Sequence, residues 1–393
     1  MNRIINGDVL RFAAHYRGER FHGVLCDPPY ELGFMGKSWD SRGVSFRAET
    51  WSAIRSLLLP GAHLLAFGGT RTFHRIAVAI EDAGFEIRDT IGFLYGSGFP
   101  KSHDVSKAID REAGAEREVL ARHPSPKGKP SDGWGHKSEA FITAPATDSA
   151  RAWQGYGTAL KPAWEPVIVA RNPLAGTVAQ NAIEHGAGAM NVDGGRVAYT
   201  DDADKASALS GDAFKRKDTS DKGWSRPWMQ DEQKIARMNA EAKERAQNGR
   251  WPANILHDGS DDVAEVMGDA QRFFYCAKAS KRERDEGLGD SIERRRSDAR
   301  PNSPDMTGKF PDHDGRVRRG NHHPTVKPLA LTEYLARLIV PPAHVESRLL
   351  VPFAGSGSEC IGAIRAGWRH VVGVEQNDEY ACIARARIEH HSR

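Results

Sequence analysis

Residues 348–375 constrain the fold more than any other stretch. Arg348-Leu349-Leu350-Val351-Pro352 reads as a buried strand, and Phe353-Ala354-Gly355-Ser356-Gly357 as a tight glycine loop. Ser358 to Arg365 reads as a helix ended by Gly367, and His370 to Val374 as a second strand closed by Glu375. Glycines let the backbone approach a ligand closely, and an acid at the end of the second strand can accept both ribose hydroxyls. Glu375 follows Gly355 by about 20 residues, the offset such a unit requires.

A dinucleotide site would carry a third glycine, but Cys360 stands at that position of the G-x-G-x-x-G pattern. That glycine serves close helix–strand packing beside a pyrophosphate, so its absence argues against NAD. A ligand with a ribose and no phosphate needs no such approach, and S-adenosylmethionine is that ligand.

Near the start, the apolar run Gly23-Val24-Leu25-Cys26 reads as a buried strand and leads into Asp27-Pro28-Pro29-Tyr30. Each proline fixes its own φ and removes an amide donor, so the Asp27 carboxylate and the neighbouring carbonyls are held stiffly beside a flat ring. Acceptors and a ring suit a planar group that carries an amine; the bland alternative is a turn after a strand.

Elsewhere, residues 1–170 mostly alternate strand and helix, the pattern of an α/β sheet. Arg3 to Ile5, Ala62 to Phe67, Phe85 to Tyr95 and Trp164 to Ala170 read as strands. Thr50 to Leu59, stopped at Pro60-Gly61, Thr72 to Ala83 and Lys101 to Glu118 read as helices. Glu31 to Ser45, with Lys37, Trp39 and Asp40, reads as a loop long enough to be a lid. His123 to Leu160 reads as a long connection. Residues 172–320 have short pieces, one charged helix over Asp231 to Gln247, and a basic run from Lys278 to Arg319 interleaved with acids. That run is either a solvated surface or a groove for an anionic polymer. Leu329 to Val340 and Asp378 to Glu389 read as helices.

The chain has 393 residues, 39% of them hydrophobic, and a formal net charge of +3, which permits a nucleic-acid partner without demanding one. No apolar run approaches the roughly 18 residues of a membrane helix, and the first residues do not form a signal peptide. Four scattered cysteines with no C-x-x-C pair give no zinc or disulfide framework, so no metal site and a cytoplasmic location are expected.

Taken together, Asp27-Pro28-Pro29-Tyr30, His323-Pro324-Thr325-Val326-Lys327-Pro328 and Phe353-Ala354-Gly355-Ser356-Gly357 resemble the amino-methyltransferases of DNA. Their order, catalytic motif first and glycine loop last, resembles the circularly permuted β group. Phe34 to Asp40, Gly96 to Pro100 and Lys161 to Pro166 resemble a phage and prophage branch of it. The resemblance implies a Rossmann-like S-adenosylmethionine-dependent sheet, made from residues 1–171 and 321–393, with a target-recognition insert at 172–320. It implies double-stranded DNA as partner, no membrane, and a setting such as restriction-modification; a homodimer stays open.

By position, the resemblance implies that Asp8 binds the cofactor's adenine amine and that Phe353, Gly355 and Gly357 surround its methionine part. It implies that Glu375 binds the ribose, and that Thr325 and Lys327 hold the methionine end. The alternative for Lys327 is an exposed charge before Pro328. Asp27, Pro28, Pro29 and Tyr30 are the expected catalytic residues, with Asp27 also bordering the cofactor. Family members acting on the cytosine 4-amine more often carry Ser where Asp27 stands, so the adenine 6-amine is the expected target. Carbon-5 methylation would need a Pro-Cys dipeptide, which is absent. The alternatives are a cytosine 4-amine methyltransferase and a non-catalytic DNA-binding relative. In the insert, Arg250, Arg272 and Arg282 are candidates for phosphate or guanine contacts.

Overall fold

The structure is a computed structural model that describes residues 2–32, 43–98, 102–122, 141–211, 231–277, 283–288, 293–295, 316–318, 321, 323 and 325–392. The expected lid residues Lys37, Trp39 and Asp40, residues 99–100, Arg282 and most of the basic run lie outside the described residues.

In chain order the strands are β1 (Arg3–Asn6), β2 (Phe21–Cys26), β3 (Leu58–Phe67), β4 (Glu86–Leu94), β5 (Val119–Arg122), β6 (Phe141–Thr143), β7 (Trp164–Arg171), β8 (Ile255–His257), β9 (Tyr275–Cys276), β10 (Glu293–Arg295), β11 (Arg316–Arg318), β12 (Arg348–Pro352) and β13 (His370–Glu375). Nine of them form one sheet in the order β1-β13-β12-β2-β3-β7-β4-β8-β9. The expected α/β sheet is therefore present. All its pairings are parallel except the two made by β7, which runs against β3 and β4.

Strands β2, β3, β7, β12 and β13 of the sheet are mostly buried, which is why they read as continuous apolar runs rather than alternating ones. One face packs Leu25, Leu65, Phe67, Leu349 and Val351 against the helices Leu329–Leu338 and Ser358–Arg365. The other packs Val24, Cys26, Leu64, Ala66 and Leu350 against Trp51, Ile54, Ile76 and Ile80 of the helices Ala48–Ser56 and Phe73–Asp82.

The pairing of β1 with β13 joins the two ends of the chain, with Ile4 opposite Gly373 and Asn6 opposite Glu375. β12 lies between β13 and β2, so strand order reverses between β12 and β2. In open α/β sheets the carboxyl ends of the strands at such a reversal are where ligands bind.

Several boundaries differ from expectation. The helix expected to run to Leu59 ends at Ser56, and β3 starts at Leu58 and passes through Pro60 and Gly61. The strand tolerates them because its register against β2 shifts there and Gly61 takes φ 76°. The helix expected over 101–118 is Val105–Glu112, with Asp104 capping the amide of Lys107. The connection expected over 123–160 holds β6 and the helix Asp148–Ala152.

The chain divides into two compact units, residues 1–96, 164–288 and 323–393 in one, and 97–163 with 289–322 in the other. Strands β8 and β9, from within 172–320, belong to the large sheet. The second unit contains the antiparallel pairs β5–β6 and β10–β11. It also holds a buried carboxylate, Asp110, which accepts from Arg117 at 2.5 Å and from the amides of Ala146 and Thr147.

Candidate active site

β2 and β12 run side by side, Gly23 opposite Leu349 and Val24 opposite Leu350. The residues that follow them, Asp27-Pro28-Pro29-Tyr30 and Phe353-Ala354-Gly355, therefore leave neighbouring strand ends at the reversal point. β7 runs the other way, so its start lies at this same edge, with Glu165 opposite Phe93 and the Pro166 carbonyl accepting from the Gly68 amide. Glu375 closes β13 at the same edge.

The side chains that meet there are strongly coupled. Lys327 Nζ lies 2.8 Å from Glu165 Oε1, 3.3 Å from Asp27 Oδ2 and 2.9 Å from the Tyr30 hydroxyl. The Tyr30 hydroxyl in turn donates to Glu165 Oε1 at 2.6 Å. The ammonium also stands over the ring of Phe67 at 4.6 Å. Lys327 is buried, so the alternative of an exposed charge before Pro328 does not hold. Among the described residues Asp27 Oδ1 is buried and has no hydrogen-bond partner, whereas the Pro29 carbonyl is taken by Ser45 Oγ at 2.6 Å.

Burial pushes the Asp27 carboxyl above its usual range; the Lys327 charge opposes that shift and the Glu165 charge adds to it. Burial works against the Lys327 charge, yet Asp27 and Glu165 more than offset it, and the ammonium is held above its ordinary value. Burial, with Asp27 and Glu165 behind it, pushes the Tyr30 phenol well up. Glu359, in the first turn of the helix Ser358–Arg365, is pushed up to about 8 by burial and then by the Asp27 charge.

The glycine loop is bent as its sequence requires. Gly355 has φ 51° and Gly357 has φ 85°, where glycine is at ease, and Phe353 adopts φ 65° at a cost. The Gly355 amide donates to Glu375 Oε2 at 2.8 Å, and the Asn377 amide to Oε1 at 2.7 Å. A Cβ on Gly355 would come within 2.8 Å of His323 Nε2, which sets His323 against the loop. Thr325 is exposed. Arg387, fully buried, donates through Nη1 to the Ser356 carbonyl at 2.7 Å and to the hydroxyls of Ser356 and Ser358. Asp8 caps the helix Val9–His15, its Oδ1 accepting from the amides of Leu10 and Arg11.

The expected residues Asp27, Pro28, Pro29, Tyr30, Lys327, Phe353, Gly355, Gly357 and Glu375 thus share one edge of one sheet. Glu165, Phe67, Glu359 and Arg387 were not singled out as site residues. Only the stretch Lys161 to Pro166 carried a signal for any of them. Arg250, a candidate for contact with DNA, has a half-buried side chain. Its guanidinium is bound to Asp204 at 2.5 Å and stacked on Tyr199 and Phe273.

The acid-proline-proline-aromatic turn after β2 and the glycine loop after β12 thus stand together at the reversal point of an α/β sheet. The sequence model of the DNA methylase family matches residues 21–386, and the chain belongs to that family. The protein named "Putative methylase YubD" of Escherichia coli (strain K12) is 39% identical over 80 residues, 20% of this chain and 34% of that protein. The match thus spans about a third of the length of that curated relative. Two solved structures align at low identity. A crystal structure of an M1.HpyAVI–SAM complex aligns over 98% of this chain and 100% of that one, at 13% identity and TM-score 0.39. The PvuII DNA methyltransferase, cytosine-N4-specific, aligns over 100% and 92%, at 11% identity and TM-score 0.45. Among the described residues no helix is long and apolar enough to cross a membrane.

Proposed function

We propose that the chain transfers a methyl group from S-adenosylmethionine to the exocyclic 6-amine of adenine in duplex DNA. The observation that carries this reading is Asp27. Its Oδ2 is paired with Lys327, and its Oδ1 is a buried acceptor with no hydrogen-bond partner among the described residues, at the strand end beside the glycine loop. Buried acceptors are almost always satisfied, so this one is suited to a donor that arrives with the substrate. An amine N–H is such a donor.

The residues at the neighbouring strand ends fit the cofactor. Glu375 is a nearly buried carboxylate with lone pairs left for ribose hydroxyls beyond the two amides it accepts. Gly355 and Gly357 let the loop take its left-handed turns. On this reading Phe353, Gly355 and Gly357 border the methionine part and Glu375 holds the ribose. Asp8 takes the adenine amine, and Thr325, Lys327 and Asp27 lie toward the methionine end. S-adenosylmethionine would supply a methyl group on a sulfonium, which leaves as a neutral thioether.

The base amine is a poor nucleophile because its lone pair is delocalised into the ring. Hydrogen bonds from that amine to the Asp27 carboxylate and the Pro28 carbonyl draw the nitrogen toward tetrahedral geometry and localise the pair. The prolines keep both acceptors fixed, so the work is alignment plus electrostatic stabilisation. Once methylated, the nitrogen sheds one proton, which the Asp27 carboxylate is placed to take. Tyr30 offers its ring face to the base. The base must leave the duplex to reach this edge, at a cost of a few kcal/mol.

The same reading makes the chain a circularly permuted, β-group member of a phage-like branch, since its first and second sheet strands, β12 and β13, come from the end of the sequence. It divides the chain into a catalytic part, 1–171 with 321–393, and a recognition insert, 172–320. Asp27 in place of serine supports adenine.

Tritiated S-adenosylmethionine and whole-genome-amplified DNA, which carries no methyl groups, test the reading. After digestion to nucleosides, label is expected in N6-methyladenine. Label on the cytosine 4-amine would overturn the adenine assignment. Label on cytosine carbon 5, or none, would overturn amine methylation.

A further inference from the structure

One cation serves two carboxylates at the proposed site. Lys327 Nζ is closer to Glu165 (2.8 Å) than to Asp27 (3.3 Å), and Glu165 Oε1 also accepts from the Tyr30 hydroxyl. The side chains of Lys327, Asp27 and Glu165 are only 9%, 13% and 18% exposed, so water does little to screen them. Amine methylation as described above has no evident use for a second carboxylate. Removing Glu165 would leave Lys327 with Asp27 as its one close anion.

We propose that Glu165 is a positioning residue for methyl transfer: it holds the Lys327 ammonium and the Tyr30 hydroxyl, so that Asp27 keeps one carboxylate oxygen clear of both for the substrate amine. The proposal rests on Asp27 being the amine acceptor. Glu165 reaches the site only because β7 is reversed, which brings its first residues to the edge where β2 and β3 end. Among the described residues the groups facing Asp27 are Lys327, Glu165, the Tyr30 hydroxyl, Glu359 and the Cys26 thiol. Among them Glu165 resists ionisation of Asp27 and Lys327 favours it, so the two make opposite contributions.

A purely structural Glu165 would matter for shape and hydrogen bonding, which Glu165→Gln largely retains; the proposed role needs its charge. The full chain would be assayed with tritiated S-adenosylmethionine and amplified, methyl-free DNA from about pH 5 to about pH 9. Glu165→Gln is expected to lower kcat at least about tenfold with KM for DNA within about twofold. The acid limb of its kcat profile should move to lower pH. Lys327→Gln should move that limb to higher pH, and Glu165→Asp should recover part of kcat with the wild-type limb. An unmoved limb in Glu165→Gln, or kcat within about twofold of wild type, would overturn the proposal. If Glu165→Gln does not fold, the Lys327→Gln limb decides, and one that fails to rise overturns it. Absence of transfer by the wild-type chain would instead overturn the methylase reading beneath it.

Discussion

Glu359 is 4% exposed and within reach of the Asp27 charge. Burial and the Asp27 charge raise it from an ordinary 4.5 to about 8. A carboxyl raised on folding binds a proton in the folded chain that the unfolded chain has released. Its stabilising contribution is therefore complete below pH 4.5 and is lost as pH rises through about 8. Urea midpoints measured across that window should fall with pH in the wild type and change less in Glu359→Gln. Parallel curves for the two proteins would show that Glu359 ionises normally. The carboxyl is remote from the unfolded-state value for the same reason Asp27 is: both lie where water is excluded beside another acid.

Contact between elements depends most visibly on Gly362, in the helix Ser358–Arg365 that follows the glycine loop. A Cβ there would come within 2.5 Å of the Thr332 carbonyl carbon and 2.6 Å of the Glu333 amide, both backbone atoms of the helix Leu329–Leu338. Gly362→Ala should force these helices apart and destabilise the chain by about 1–3 kcal/mol or more, read from the shift in urea midpoint. An unchanged midpoint would mean that the helices approach less closely than described. The elements themselves were legible because their signals are local. Arg348–Pro352 and Ser358–Arg365 match expectation to the residue, since a short apolar run and a glycine at each turn mark both ends. Pro60-Gly61 misled because a bulge lets a strand carry both residues, and a bulge is set by the partner strand. Glu165 could not be assigned for a similar reason. Its place at the site follows from insertion of β7, reversed, between β3 and β4, which no feature of 164–171 alone determines. The burial of Lys327 likewise depends on Asp27 and Glu165, about 300 and 160 residues away in sequence.

At the scale of the molecule, the sheet draws on both ends of the chain. β12 fills the position between β13 and β2, and β1 extends the sheet beyond β13. This arrangement places the acid turn after β2 beside the glycine loop after β12, though the two are more than 300 residues apart in sequence. The central claim is that these two loops form one transfer site, with cofactor binding on one side and amine activation on the other. Asp27→Ala separates the two functions. Lys327 keeps Glu165 as a partner at 2.8 Å, so the substitution leaves no isolated buried cation. Binding of S-adenosylmethionine by calorimetry and tritium transfer to methyl-free DNA would be measured on one preparation of each protein. In Asp27→Ala the cofactor should still bind, weakened by no more than about tenfold through loss of the Asp27 contact at its methionine end, while transfer falls by at least about 100-fold. Transfer by Asp27→Ala near the wild-type rate would contradict the central claim.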